Sequence, residues 1–363
     1  MRKHYIDNIR WITVASVVIY HVFYMFNSII PEGVMGPVTS FHGQDAILYL
    51  FYPWFMVILF IISGMSAKLY LDRHSEKDFL KARTGKLLVP STIGLFVFQW
   101  IQGYVSMSIS NAFSQMPDSM PKPVLYFIMV LSGSGVLWTI QMMWLFSVFL
   151  LLVRKVEKGR LIKPAEKINI IVLLLLGVFV FGAAQILNTP IILVYRFGIY
   201  GFCFLLGYYV FSNDNVIRQL EKYCIPLLVT AGILGVIYTV IYYGENYAVS
   251  PVVNCPLAIA FAWIACLSIL GGAKRFLDKT NAFASFMTKK SFGLYVFHYL
   301  AMSATAYALV TYTHMPGIAI YVITMIAAFA GGILIYEIVS RIPVIRWCVL
   351  GIKREKAAYM EDS

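Results

Sequence analysis

The chain has 363 residues, of which 60% are hydrophobic and only 13% are charged. This composition excludes a soluble globular domain, in which about a quarter of the residues are charged, and it indicates a membrane protein. The formal net charge is +12, and an excess of cations beside apolar segments is typical of cytoplasmic loops and of attraction to anionic lipid rather than of nucleic-acid binding.

Apolar segments follow one another along nearly the whole chain, each close to the roughly 20 residues that a membrane-spanning helix requires. They predict an all-α integral membrane protein, a bundle of about ten transmembrane helices. The predicted spans are 9–28, 46–70, 88–109, 124–153, 168–188, 191–211, 224–243, 251–272, 291–313 and 317–340. The fourth span is the longest, and Gly133 and Gly135 predict a break inside it. We expect one transmembrane domain over residues 1–345 and a short cytoplasmic tail over 346–363.

Basic residues occur in every second loop, after the second, fourth, sixth, eighth and tenth segments. The intervening loops hold acidic residues and one cation, namely Glu32, Asp45, Asp118, Glu245 and Lys122. Because Lys and Arg accumulate in cytoplasmic loops, this alternation predicts an even number of helices with both termini in the cytoplasm. The first segment is longer than the apolar region of a signal peptide and lacks a cleavage pattern, so we expect it to remain in the mature protein.

Two ionisable residues, Arg10 and His21, lie inside the first apolar segment, where such side chains are costly. A helix turns about 100° per residue, so both side chains fall within about 20° of one face, about 16 Å apart along the axis. A neutral imidazole is a common general base, and Asp7 lies three residues before Arg10, where it can pair with the guanidinium. The alternatives are a hydrogen-bonded core histidine and an arginine that extends to lipid phosphates.

Motifs for other kinds of chemistry are absent from the sequence. We find no convincing glycine-rich phosphate loop, no H-E-x-x-H and no G-x-S-x-G, and the five cysteines form no C-x-x-C pair. We therefore expect neither a bound metal nor a permanently bound cofactor.

Several short motifs resemble the acyltransferase 3 family of bacterial membrane proteins. The segment YIDNIRW, followed by VIYH, contains an Arg, ten residues and then a His, as at the opening of that family. The further matches are FIISG ending at Gly64, Arg83 followed by KLLVP, LWTIQ around Trp138, and SFGLYVFH ending at His298. Within the family, the chain looks most like the branch that contains the glucan-succinylating enzymes of the bacterial envelope.

The resemblance implies a multi-pass protein of the bacterial inner membrane that performs O-acylation. The acyl group, acetyl or succinyl, would pass from cytoplasmic acyl-CoA to a hydroxyl of an envelope glycan or another acceptor. The other partner is the lipid bilayer, no nucleic acid is expected, and the oligomeric state stays open.

The resemblance also suggests roles for individual residues. His21 would act as general base or as acyl carrier, and Arg10 would position the donor. Arg83, Lys86 and Asp7 are donor-binding candidates, since coenzyme A carries several phosphates that need cations. Arg83 and Lys86 fit equally well as ordinary cations of a cytoplasmic loop.

Other polar residues are candidates for contacts with the substrate or with the developing oxyanion. The candidates with an N–H or O–H group are Trp138, Gln141, Tyr20 and Tyr295, whose alternative roles are interface anchoring and helix–helix contact. Arg196, predicted inside the sixth helix, needs a counter-ion such as Asp45 or Glu32, or an acidic or sugar acceptor. His298 is either a second catalytic imidazole or a structural one.

A second class of function fits the same segments. A proton-coupled transporter would use Arg10 and His21 as a polar relay. Discontinuous helices and inverted repeats would support the transporter hypothesis, but neither feature is clear in the sequence. An acyltransferase is therefore the leading hypothesis.

Overall fold

The computed structural model describes residues 3–161, 168–189 and 194–352. Within these ranges the chain is helical and forms no β-strand, apart from an isolated backbone pairing between Asn188 and Arg196. The helices are α1 His4–Met25, α2 Ala46–Leu71, α3 Glu76–Ile109, α4 Lys122–Ser132, α5 Gly135–Glu157, α6 Ile170–Ala184, α7 Phe197–Tyr209, α8 Asp214–Lys222, α9 Cys224–Tyr242, α10 Pro256–Leu277, α11 Ala282–Tyr312, α12 Gly317–Arg341 and α13 Pro343–Leu350.

Seven of the described helices are long and apolar enough to cross a membrane, namely α2, α3, α5, α9, α10, α11 and α12. Three shorter helices, α4, α6 and α7, are also apolar. Helix α1 is 22 residues long, but Asp7, Arg10 and His21 lower its hydropathy. The prediction of an all-α, multi-pass membrane protein is confirmed.

Two predicted helix starts, 88 and 291, are wrong because hydropathy detects only the apolar part of a helix. Helix α3 begins at Glu76, where the Ser75 hydroxyl accepts a hydrogen bond from the Asp78 N–H at 3.1 Å. Helix α11 begins at Ala282, where the Asn281 side chain caps the Ala284 N–H at 2.8 Å. Both caps lie in polar segments outside the predicted spans.

Two other predictions concern helix ends and breaks. The predicted break in the fourth span is present, because α4 ends at Ser132 and α5 begins at Gly135, whose φ is +41°. The predicted sixth span, 191–211, begins among residues 190–193, which lie outside the described part of the chain. Its described helix begins at Phe197, so Arg196 precedes the helix rather than lying inside it.

Helix α1 packs against α2, α10 and α11, which places it inside the bundle. Helix α2 in turn lies against α7, and glycines on each helix face the backbone of the other. Gly64 lies under the Phe204 carbonyl and Gly207 under the Ile61 carbonyl. The absence of a side chain at both positions allows the two backbones to approach closely.

Helix α13 packs against α3, with Cys348, Val349 and Leu350 buried. The predicted boundary at residue 345 therefore falls inside a helix, and the first part of the predicted tail contacts the bundle. Residues 353–363 lie outside the described part of the chain.

Candidate functional site

Two cavities lie along successive parts of α1. The first, here called the Arg10 cavity, has a volume of about 310 Å³, and Arg10 and Val14 of α1 contribute to its lining. The second, here called the His21 cavity, has a volume of about 550 Å³ and is lined by Val17 and His21 of the same helix. Tyr295 of α11 lines both cavities, so they meet at this side chain.

Contacts with Asp7 and Ser66 hold Arg10 in place at the wall of its cavity. Its Nη1 lies 3.1 Å from the Asp7 carboxylate, and its Nη2 donates to the Ser66 hydroxyl at 2.8 Å. The ion pair with Asp7 is the one that the spacing of three residues predicts. Ser66 donates to the Ile62 carbonyl at 2.7 Å, which leaves its oxygen free to accept from Arg10.

Two further cations, both from α3, line the Arg10 cavity. The Arg83 guanidinium donates to the Ser63 carbonyl at 3.3 Å and lies 5.2 Å from the centre of the Phe79 ring. The Lys86 ammonium donates to the Leu350 carbonyl at 3.3 Å and lies above the Phe292 ring. The lining that the structure describes thus holds three cations and no carboxylate, and such a cavity attracts anions.

His21 and His298 are in contact in the interior of the bundle. Nε2 of His298 lies 3.2 Å from Nδ1 of His21, which also lies 2.8 Å from the Val17 carbonyl. Nδ1 of His298 lies 2.9 Å from the Tyr295 carbonyl and 3.1 Å from that of Leu294. Since a carbonyl only accepts, these partners assign a hydrogen to Nδ1 of each neutral ring.

The assigned tautomers determine which ring nitrogen donates a hydrogen bond and which accepts one. The Nδ1–H of His21 donates to both the Val17 carbonyl and Nε2 of His298, so the remaining lone pair of His21 is on its Nε2. His21 lines the cavity, whereas His298 is fully buried and lines neither cavity. His298 therefore contacts the His21 cavity only through the ring of His21.

Aromatic side chains form most of the wall around His21. The rings of Tyr20 and Tyr299 each lie 5.2 Å from the imidazole, both edge to face. The other aromatic lining residues are Tyr24, Tyr52, Phe55, Trp138, Tyr195, Tyr200 and Tyr295. Among the described lining residues, Glu32 is the one with a charged side chain.

Five of these tyrosines were not among the candidates from the sequence, namely Tyr24, Tyr52, Tyr195, Tyr200 and Tyr299. A local signal exists for two of them, because Tyr24 follows Tyr20, and Tyr299 follows Tyr295, by four residues, one helical turn. Of the other three, Tyr52 lies in α2, Tyr200 lies in α7 and Tyr195 lies just before α7. No spacing relates them to His21.

Three of the candidate oxyanion donors, Tyr20, Tyr295 and Trp138, differ in the groups that their side chains contact. The Tyr20 hydroxyl lies 3.2 Å from that of Tyr247, and the Tyr295 hydroxyl donates to the Val136 carbonyl at 2.8 Å. The Trp138 ring lies 5.8 Å from the Tyr200 ring on the cavity wall. These three residues line the His21 cavity, and two of them have their hydroxyls engaged.

Gln141 lines neither cavity. Its Nε2 donates to the Ser91 carbonyl at 2.9 Å, and its Oε1 accepts from the Tyr195 hydroxyl at 2.8 Å. Gln141 therefore links helices and orients Tyr195, as the alternative role of helix–helix contact suggests.

Arg196 has partners other than the counter-ions considered from the sequence. Its Nη2 donates to Oδ1 of Asn254 at 2.7 Å, and its guanidinium lies 5.7 Å from the centre of the Tyr200 ring. Asp45 instead accepts from the Ser28 hydroxyl at 2.7 Å. Arg196 itself lines neither cavity, but it supports the wall of the His21 cavity from behind Tyr200.

The comparison with known protein families identifies one family. A sequence profile of the acyltransferase 3 family, described as an acyltransferase domain, matches residues 3–337. No curated protein and no solved structure matches the chain. The matched range contains every residue that lines the two cavities. With more than nine-tenths of its length matched, the chain belongs to the acyltransferase 3 family of membrane acyltransferases.

Proposed function

We propose that this acyltransferase moves an acyl group from a cytoplasmic acyl-CoA in the Arg10 cavity to a hydroxyl of an envelope glycan in the His21 cavity. One observation carries the proposal. A cavity with three cations and a cavity with an imidazole meet at a single side chain, Tyr295. A cytoplasmic donor and an envelope acceptor, which never share a compartment, can react where the two cavities meet.

The donor is assigned to the Arg10 cavity because of its charge. Coenzyme A carries phosphates, which Arg10 and Arg83 can bind through paired N–H groups and Lys86 through a point charge. Asp7 holds the Arg10 guanidinium in place. The apolar lining residues Leu59 and Met143 suit the less polar arm that ends in the thioester.

The acceptor is assigned to the His21 cavity because of its aromatic wall. Tyrosine and tryptophan rings offer flat apolar faces to the C–H faces of sugar rings, and their O–H and N–H groups bind sugar hydroxyls. Trp138, Tyr195 and Tyr299 all line this cavity. An acceptor without negative charge fits best, because the described lining holds Glu32 and no cation.

The chemical step uses the lone pair of His21. As the acceptor oxygen attacks the thioester carbonyl, its proton passes to Nε2 of His21, and a C–O bond forms. The C–S bond then breaks, and the imidazolium returns the proton to the leaving thiolate, which gives an ester and free coenzyme A. Before the transfer, donation of the Nδ1–H to His298 holds the neutral His21 ring in the tautomer whose Nε2 accepts a proton.

A covalent variant uses the same atom of His21. Its Nε2 would attack the thioester first and carry the acyl group as an acyl-imidazole to the second cavity. The two routes differ in kinetics, because direct transfer requires both substrates at once and the covalent route releases coenzyme A before the acceptor binds.

The orientation in the membrane is part of the proposal. Ten crossings result if α1, the broken pair α4 and α5, α6 and α7 join the remaining long helices. The loops rich in Lys and Arg then lie in the cytoplasm together with both termini and the Arg10 cavity. Labelling of single cysteines placed at Lys77 and Asp118 in intact bacterial cells tests this orientation, since only position 118 would react from outside the inner membrane.

The activity is tested with the full chain in lipid nanodiscs, radiolabelled acetyl-CoA or succinyl-CoA, and an envelope glycan extract. The resemblance to the glucan-succinylating branch makes succinyl-CoA the first donor to compare with acetyl-CoA. We expect label in the glycan and release of free thiol, both reduced by at least about 10²-fold in His21→Ala. His314→Ala, at an exposed position outside both cavities, is the matched control and should retain full activity.

Two results would contradict the proposal. One is transfer by His21→Ala at the rate of the unmodified protein. The other is the absence of acyl-CoA turnover together with uptake driven by a proton gradient in vesicles, which would favour the transporter alternative.

A further inference from the structure

A third cavity of about 330 Å³ lies on another face of α1, away from Arg10 and His21. It is bounded by Ile9 and Ile12 of α1, by Trp54 of α2, and by parts of α9 and α10. Its lining is almost entirely apolar and contains no charged residue. We call it the α9–α10 slot, and neither the donor nor the acceptor of the proposed reaction uses it.

The slot is long and open to the side. Its α10 wall runs from Ser268 to Leu277, which corresponds to about 14 Å at the helical rise. Along the opening, Ile225, Leu228 and Phe276 are about half exposed. In a membrane, such an opening faces the hydrocarbon tails of the lipids, and its shape suits a single extended chain.

Cations lie at one end of the slot. Nη1 of Arg275 is 3.9 Å from Sγ of Cys224, a lining residue. Lys222 precedes Cys224 by two residues and is exposed. Within the described ranges Arg275 forms no ion pair, whereas the nearby Asp278 is already paired with Lys274. An anion at this end would therefore have Arg275 available as a partner.

We propose that the α9–α10 slot binds one acyl chain of an anionic phospholipid, with the phosphate at Arg275. Charge complementarity identifies the occupant, because the apolar wall takes the chain and the cation at its end takes the head group. The bound chain would lie against Ile9 and Ile12, on the back of the helix that carries Arg10 and His21. This inference does not depend on the proposed function.

The test is native mass spectrometry of the full chain in detergent, with phosphatidylglycerol and phosphatidylcholine of identical chains as probes. We expect one tightly bound phosphatidylglycerol, retained about fivefold better than phosphatidylcholine. Gly272→Leu should fill the slot without disturbing the helices, because a Cβ at Gly272 meets no atom within 4 Å. We expect it to weaken binding about tenfold, while Gly232→Leu on α9, where a Cβ also meets nothing, should bind normally.

A second variant tests the head-group contact without altering the slot. Arg275→Gln should remove the preference for phosphatidylglycerol but not the binding of the chain, and Arg341→Gln at the end of α12 should change neither. Unchanged phosphatidylglycerol binding in Gly272→Leu would overturn the proposal. Equal retention of the two lipids by the unmodified protein, or an unchanged preference in Arg275→Gln, would also overturn it.

Discussion

Nε2 of His298 on α11 accepts a hydrogen bond from Nδ1 of His21 on α1 at 3.2 Å. The bond joins two helices that pack directly against each other, and it places a fully buried imidazole behind one that lines a cavity. A histidine whose second nitrogen is bonded in this way is restricted in both tautomer and ring orientation. We therefore expect His298 to act as a positioning residue for His21.

Loss of His298 should lower kcat and leave donor binding unchanged. We expect His298→Ala to reduce kcat about 10–100-fold, with the KM for acyl-CoA within about twofold of the original value. His298→Gln retains an acceptor and should recover part of the rate. The decisive measurement is the double variant with His21→Ala, which should be no slower than His21→Ala alone, since residues that act as a unit are not additive.

The cations of the Arg10 cavity should govern donor affinity. We expect Arg83→Ala and Lys86→Ala each to raise the KM for acyl-CoA about tenfold, with a smaller difference at high salt, because each removes a charge-assisted contact to phosphate. Lys77→Ala and Lys81→Ala, from the same helix but outside the cavity, are the matched controls. If all four variants changed the KM equally, the cations would act through general charge rather than through the cavity.

The aromatic wall should govern acceptor affinity. Trp138→Ala removes a ring that lines the His21 cavity, and we expect it to raise the KM for the acceptor about fivefold while the KM for the donor stays unchanged. Trp100→Ala, at a partly exposed ring outside both cavities, is the control. A change in the KM for the donor alone would show that the aromatic wall binds the donor rather than the acceptor.

The close approach of α2 and α7 should depend on glycine. A Cβ at Gly207 would overlap the Ile61 carbonyl, which is backbone and cannot turn aside. We expect Gly207→Ala to destabilise the protein by at least about 2 kcal/mol, measured by thermal unfolding in detergent. Gly232→Ala, where the new Cβ meets no atom within 4 Å, should be neutral or stabilising because alanine favours helix.

Stability at low pH should depend on Asp278, which follows α10 and joins it to the start of α1. Burial opposes ionisation of its carboxyl, but hydrogen bonds from Lys274 and from the Tyr5 N–H outweigh this effect and lower the pKa of Asp278. The resulting stabilisation is present above the unfolded-state pKa of about 3.9 and is lost as the pH falls toward the lower folded-state pKa.

Asp278→Asn tests this dependence. The unmodified protein should lose thermal stability as the pH falls below about 5, and the variant should start lower and lose less. Asp214→Asn, which removes a more exposed carboxylate that pairs with Lys3, is the control and should follow the unmodified protein. Parallel curves for Asp278→Asn and the unmodified protein would show that the stabilisation has another origin.

Hydropathy alone was sufficient to predict the bounds of several helices. The predicted spans 46–70, 224–243 and 317–340 agree with the bounds of α2, α9 and α12 to within one residue. Their limits coincide with changes in polarity, which are local properties of the sequence. The starts of α3 and α11 depend instead on the caps at Ser75 and Asn281, which no count of apolar residues detects.

Apolar length and helical periodicity are local properties, and they were sufficient to predict an all-α membrane protein in which Arg10 and His21 share one stripe of α1. The contact between His298 and His21, 277 residues apart in the chain, could not be predicted from local properties. The same is true of the bond between Arg196 and Asn254 and of the two cavities that meet at Tyr295. These relationships depend on which helix faces pack together, and packing is set by the whole bundle rather than by any one segment.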